Sequence, residues 1–213
     1  NVPANLRDVN GNWTAITMRA RLVAFNKEKV KAEQIKTYAD LTKPQWKGKV
    51  LVRSSSNTYN QSLMAAMIAH DGPAAAEQWA KGIVKNMARE PKGGDTDQLL
   101  AIAEGLGDVA IANSYYVAKL MASDEPEKQK AKGLLGIAFP SIGEYGTHIN
   151  ISGGGVAKYA PHKEEAIAFM EFLTGEEAQT RFANVNKEYP VKPGVAYAPE
   201  VAAFCTFTPD SLD

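Results

Sequence analysis

Three tyrosines carry the densest chemistry in the sequence. Tyr115 and Tyr116 stand side by side after the run "DVAIAN" and before "VAKLMAS", and Tyr59 follows "GKVLV" through the polar loop "RSSSNT". Each sits where a short apolar strand passes through a polar loop into a helical pattern. In open α/β sheets that junction is where ligands bind, because helix N-termini present free N–H groups and partial positive charge. A phenol has a pKa of ~10 in isolation, but a bound cation displaces its proton and a helix N-terminus favours the resulting anion. The three residues are therefore candidates for a phenolate cluster around a metal ion.

Hardness and charge select the metal. No cysteine lies near these loops and no histidines stand at helical or finger spacing, which argues against zinc and copper; no carboxylates cluster there, which argues against calcium and magnesium. Hard phenolates suit iron(III), and three of them cancel its charge in a dehydrated cleft. The plain alternative is one core ring, one turn ring and an ordinary loop aromatic. Ser54, Ser55 and Ser56 read either as turn formers or as a cradle for a small oxyanion.

The elements that must hold these residues alternate in the manner of an α/β protein. Thr14 to Asn26 reads as a strand with Thr17, Arg19 and Arg21 on one face, and 48–52 as a short buried strand. Helices follow over 59–71, stopped by Gly72, and from Pro73 to Met87. Asp95 or Thr96 is expected to cap the next helix, 108–112 to form a strand, and Ser114 to cap the helix of the paired tyrosines. A final strand pair, "GLLGIAFP" with "THINISGGGVAKYA", precedes two helices over 162–186. Two lobes without a linker would be joined by crossing strands near Thr17 to Arg19 and near Ile142 to His148, with His148 as a hydrogen-bonded hinge residue.

Composition narrows the function. Lys plus Arg equals Asp plus Glu at 24 each in 213 residues, so no basic field invites nucleic acid or an anionic membrane. No apolar stretch reaches the ~20 residues that cross a bilayer, and a signal peptide is expected to be absent or already removed. Cys205, the one cysteine, reads as a small, semi-buried hydrophobe. The chain has no G-x-S-x-G, and His70, His148 and His162 are scattered, so an enzyme is not expected. Gly153 to Gly155 lack the order of a dinucleotide loop.

The runs "LRDVNGNW", "YADLTKPQWKGKVLVRSSSNTYNQSL", "GGDTDQLLAIAEGLGDVAIANSYY" and "HINISGGGVAKYAPHKEEAIAFMEFLTGEEAQTRFANVNKEYPV" resemble the periplasmic ferric-ion-binding proteins of bacterial iron ABC transporters. The resemblance implies an α/β, two-lobed type II periplasmic-binding-protein fold with hinge strands. In it 1–18 and 142–192 belong to the first lobe, and 19–141 and 193–213 form the second lobe carrying the tyrosines. It implies capture of iron(III) by Tyr59, Tyr115 and Tyr116 and delivery to the transmembrane subunits of an ABC permease, by a monomer in the periplasm or lipid-anchored outside the cytoplasmic membrane. It also matches Arg19 in "MRAR" to an arginine that helps hold a synergistic anion such as carbonate. Members begin with further βαβ units, so the first lobe is expected to be incomplete at the N-terminus and to expose apolar surface. A same-fold binder of a non-metal solute, a polyamine or an oxyanion, is the alternative.

Overall fold

The computed structural model describes residues 2–211. Along the chain lie β1 (Thr14–Asn26), β2 (Val50–Leu51), α1 (Thr58–Asp71), α2 (Pro73–Asn86), α3 (Asp95–Ala103), β3 (Val109–Asn113), α4 (Ser114–Met121) and α5 (Pro126–Leu134). β4 (Leu135–Ala138), β5 (Ile149–Gly154), α6 (Lys163–Leu173), α7 (Glu176–Arg181), β6 (Tyr189–Pro190) and α8 (Pro199–Ala202) follow. α1 ends where Gly72 takes φ +83°, a left-handed conformation that a side chain would strain, and Pro73 opens α2 at its first position.

The 13-residue strand β1 serves both halves of the sheet. Its first part, Thr14–Ala20, pairs antiparallel with β5, and Thr17 and Met18 pair with β6. From Arg21 its partners change: β3 lies on one side and β4 on the other, both antiparallel. β2 adds to β3 in parallel, giving the order β2-β3-β1-β4. This half is covered on both faces, so its strands are apolar throughout rather than alternating. Val23, Phe25, Val109 and Ile111 pack on Leu63 and Met67 of α1. Leu22, Ala24, Ala110 and Ala112 pack on Leu99 and Ile102 of α3 and on Val117 and Leu120 of α4. Full burial of a Leu or Val side chain contributes ~1.5–3 kcal/mol, so these two cores fix the strand order and the helices on it.

Arg21 interrupts the apolar pattern. Its side chain is 1% exposed and that of Asp95 0%. Arg21 Nη1 donates to Asp95 Oδ2 at 2.7 Å and to Asn113 Oδ1 at 3.1 Å, and Nη2 to Asn60 Oδ1 at 2.6 Å. Asp95 Oδ2 also accepts the Asn113 backbone N–H at 2.7 Å, and Oδ1 accepts from Arg53 Nη1 at 3.2 Å. One charge pair thus ties β1, α1, α3 and the end of β3 together. On the other side of β1, Tyr38 accepts the His148 N–H and donates to the Arg21 carbonyl, and His148 Nε2 bonds Ser62 Oγ at 3.0 Å.

Several local expectations are corrected. Asp95 is the first helical residue of α3 and not its cap; Gly94 precedes it, with its N–H on Asp97 Oδ2, because Arg21 holds the Asp95 carboxylate inside. Ser114 does not cap α4 either; Asn113 takes that place, and Ser114 Oγ accepts the Ala20 N–H instead. The last two strands do not pair with each other: β4 and β5 lie on successive stretches of β1, and residues before Leu135 belong to α5. Strand 48–52 shortens to Val50–Leu51. Cys205 is exposed, not semi-buried. No residue of α6 is buried, and Ile167, Phe169 and Phe172 stand 43%, 59% and 50% exposed, an unpartnered apolar face. Among the described residues no helix is long and apolar enough to cross a membrane.

Two stability measurements follow. Asp95→Asn leaves guanidinium charge buried without its partner and should lower the free energy of urea unfolding by about 3–5 kcal/mol. Glu77→Gln, which breaks an exposed pair with Lys81, should change it by less than about 1 kcal/mol; equal losses would deny the Arg21–Asp95 pair its central place. Desolvation lowers the His148 pKa from 6.5 to about 4. As pH falls from 6.5 toward 4 the unfolded chain takes up a proton that the folded chain refuses, so stability should decline across that window. His148→Gln should shallow the decline, and an unchanged slope would show that His148 plays no part in it.

Candidate metal centre

The tyrosines meet because their strands are neighbours. β2 and β3 run parallel, Val50 beside Val109 and Leu51 beside Ala110, so both chains leave the sheet at the same edge and turn into helices. Asn57 caps α1, its side-chain oxygen accepting the Tyr59 N–H at 3.1 Å, and Asn113 holds the equivalent position before α4. Tyr59 and Tyr115 are each the second residue of their helix. Their hydroxyl oxygens lie 3.3 Å apart. The Tyr116 ring lies 4.2 Å from that of Tyr115, inclined by 32°. All three rings are partly buried.

The buried network beneath them holds this geometry. Asn60, next to Tyr59, accepts from Arg21 and donates to the Arg53 and Ser54 carbonyls. Asn113, two residues before Tyr115, is held by the same Arg21 and by Asp95. Each tyrosine loop is therefore fastened to one ion pair, which sets the distance between them.

The electrostatics favour the protonated Tyr115 phenol. Burial, and after it hydrogen bonds to Tyr116 and Tyr59, pushes the Tyr115 phenol well above its ordinary range. Although burial works against it, the Asp95 carboxylate and then the Tyr116 phenol hold the Arg53 guanidinium above its usual value. Lys119 Nζ lies 5.4 Å from the centre of the Tyr115 ring. Among the described residues no three His, Cys, Asp or Glu side chains are grouped to hold a metal. The donor set on offer is phenolic, which fits a hard trivalent cation and no soft one.

Tyr59, Tyr115 and Tyr116 are thus brought together; Arg19 is placed elsewhere. Its Nε and Nη2 donate to Glu188 Oε1, and Nη2 also to Ser152 Oγ at 2.6 Å and Thr17 Oγ1 at 3.3 Å. Arg21, on the same strand face, is taken by Asp95. Ser54 and Ser56 form an exposed turn, their hydroxyls 2.8 Å apart. The residues that sequence reasoning missed are Arg53, Asp95 and Asn60. The signal for Arg53 was a lone cation at the exit of a buried strand; Asp95 and Asn60 carried none, since their partners lie 74 and 39 residues away.

Residues 1–204 match the bacterial extracellular solute-binding protein family. The chain is similar to "Iron uptake protein A1" of Synechocystis sp., 47% identical over 215 residues covering 100% of this chain and 60% of that one. Among solved structures it is similar to the Trichodesmium protein "in complex with iron and citrate ligands", at 50% identity and a TM-score of 0.93, covering 99% of this chain and 66% of that one. It is also similar to the apo ferric ion-binding protein A of Pasteurella haemolytica, at 44% identity and a TM-score of 0.91, covering 100% and 66%. The chain spans about 60% of the length of the curated relatives it matches. With nearly its whole length matched, the chain belongs to the bacterial extracellular solute-binding protein family.

Proposed function

We propose that the protein captures iron(III) through the phenolates of Tyr59, Tyr115 and Tyr116 outside the cytoplasmic membrane and passes it to an ABC permease. The observation that carries this reading is the convergence of the three phenols at the ends of adjacent parallel strands, with two hydroxyls 3.3 Å apart. Three phenols are the wrong ligand for a polyamine, which needs carboxylates, and the nearby Asp95 is committed to Arg21 and Arg53. The names of the similar proteins, for iron uptake and for iron with citrate, support the same cargo. Binding and release, with no bond made or broken in the cargo, is the work of such a site, and the protein is not read as an enzyme.

Chemistry here is an exchange of protons for metal. Iron(III) displaces one proton from each phenol, and three phenolates cancel its charge, so the loaded site carries little net charge into a partly buried place. Arg53 stabilises the anionic form of Tyr116 and restrains the loop from which Tyr59 springs. We further infer the two-lobe division expected above, 1–18 with 142–192 against 19–141 with 193–213. The change in β1 pairing between Ala20 and Arg21 supports it, since β5 and β6 lie to one side and β3 and β4 to the other.

Loading the protein with iron(III) should give a visible phenolate-to-iron band. Tyr115→Phe and Tyr116→Phe should each diminish it and weaken iron by more than the ~10–100-fold that outer partners cost; full colour and affinity in either variant would make that tyrosine structural. Acid should strip the iron, because protons compete with it for the phenolates and burial favours the neutral form of Tyr115. Arg53→Gln removes a cation that favours phenolate, so its colour should fade at a higher pH than wild type. Coincident pH curves would take Arg53 out of the account.

A further inference from the structure

A recess that none of the three site tyrosines lines lies against the stretch of β1 that pairs with β6. It holds about 220 Å3 and is walled by Met18, Val201, Phe204 and Phe207. It straddles the change of partners along β1. Met18 and Tyr189 sit on the β1–β6 side, and Val201 of α8 packs with Ala118 of α4. A two-residue strand and a four-residue helix supply too few side chains to fill the space between them. Protein interiors leave few voids larger than a water molecule, so an apolar space of this size is an exception.

Tyr189 makes the recess more than a packing gap. The residue is 5% exposed and lines the space, yet among the described residues its hydroxyl has no hydrogen-bond partner. Neighbouring rings hold it in place. Tyr197 and Tyr189 stand edge to face, centres 5.3 Å apart at 89°; Phe207 lies 5.7 Å from Tyr189 and is itself stacked on Phe139 at 4.4 Å. Burial, and after it the nearby Tyr197 and Cys205, holds the Tyr189 phenol well above its ordinary range, so the hydroxyl stays a proton donor. Tyr197 and Cys205 are exposed and also line the recess, which therefore opens to solvent beside the hydroxyl they act on. A buried donor without an acceptor is costly, and an apolar wall with one fixed polar group is the usual make-up of a small-molecule pocket.

We propose that this recess binds a small neutral molecule with one aromatic ring and one acceptor oxygen, the ring lying among Met18, Phe204 and Phe207 and the oxygen accepting from the Tyr189 hydroxyl. Aromatic edges and faces and a thioether attract an aromatic guest beyond what burial alone supplies. The volume admits one substituted ring and no long chain, since a void of ~150 Å3 already takes benzene. The site shares no residue with the tyrosine cluster, so it stands or falls apart from the iron reading.

The test uses iron-free protein carrying 13C-methyl methionine, with the Met18 signal assigned by its loss in Met18→Leu. Acetophenone, which has both ring and acceptor, is titrated beside ethylbenzene, which lacks the acceptor, and cyclohexyl methyl ketone, which lacks the aromatic ring. Acetophenone should shift the Met18 signal saturably and at a lower midpoint than the cyclohexyl ketone. Tyr189→Phe should raise the acetophenone midpoint about three- to tenfold, the worth of one hydrogen bond, and leave that of ethylbenzene within about twofold. Cys205→Trp, which fills the exposed mouth, should abolish the shift and serves if the Phe variant does not fold. No saturable shift with acetophenone up to its solubility, or one that persists unchanged in Cys205→Trp, overturns the site. Equal weakening of acetophenone and ethylbenzene by Tyr189→Phe overturns the hydrogen bond, and a cyclohexyl ketone that binds as tightly as acetophenone overturns the aromatic class.

Discussion

The arrangement depends on one buried charge pair, Arg21 with Asp95. Removing two charges from water is costly, and a lone pair in the interior often fails to recover that cost. Here much of the remaining capacity of both partners is used: Arg21 also binds Asn60 and Asn113 and Asp95 also accepts from Arg53 and the Asn113 backbone, while Arg21 Nε is left without a partner among the described residues. Those partners are not incidental residues. Asn60 adjoins Tyr59, Asn113 precedes the helix of Tyr115 and Tyr116, and Arg53 lies two residues past the strand that leads to Tyr59. A pair that is well satisfied has one geometry, and that geometry is transmitted to the phenols.

The same arrangement explains how a site can be stable both empty and loaded. Empty, the partly buried Tyr115 phenol is held in its neutral form and shares a hydrogen bond with Tyr59, so it needs no counter-charge. Loaded with iron(III) as proposed, the three negative charges of the phenolates would meet three positive ones. On that proposal neither state leaves a large charge in the cleft, and the switch between them is a proton exchange. The metal brings the charge that the protein itself does not store.

How much of this could be read from the sequence follows from the range of each interaction. The convergence of Tyr59, Tyr115 and Tyr116 was legible because strand, loop and helix are local patterns and the parallel neighbours β2 and β3 expose the same end. β1 was legible over its full span for the same reason. Asp95 was misread as a helix cap, since a carboxylate at a helix start looks the same locally whether it faces solvent or an arginine 74 residues away. Arg19 offered no hint of Glu188, its partner 169 residues on. The end of α5 was misplaced because "GLLGIA" is one apolar run in which helix gives way to strand at Leu135, and only the pairing of β4 with β1 draws that boundary.

The central claim is that tyrosine phenolates hold the cargo, and resonance Raman scattering excited within the visible band of the iron-loaded protein tests it most directly. The account predicts enhanced ring modes of iron-bound phenolate that shift when the protein is made with ring-deuterated tyrosine. A visible band whose enhanced modes are untouched by that labelling, or iron bound with no such band at all, would contradict it.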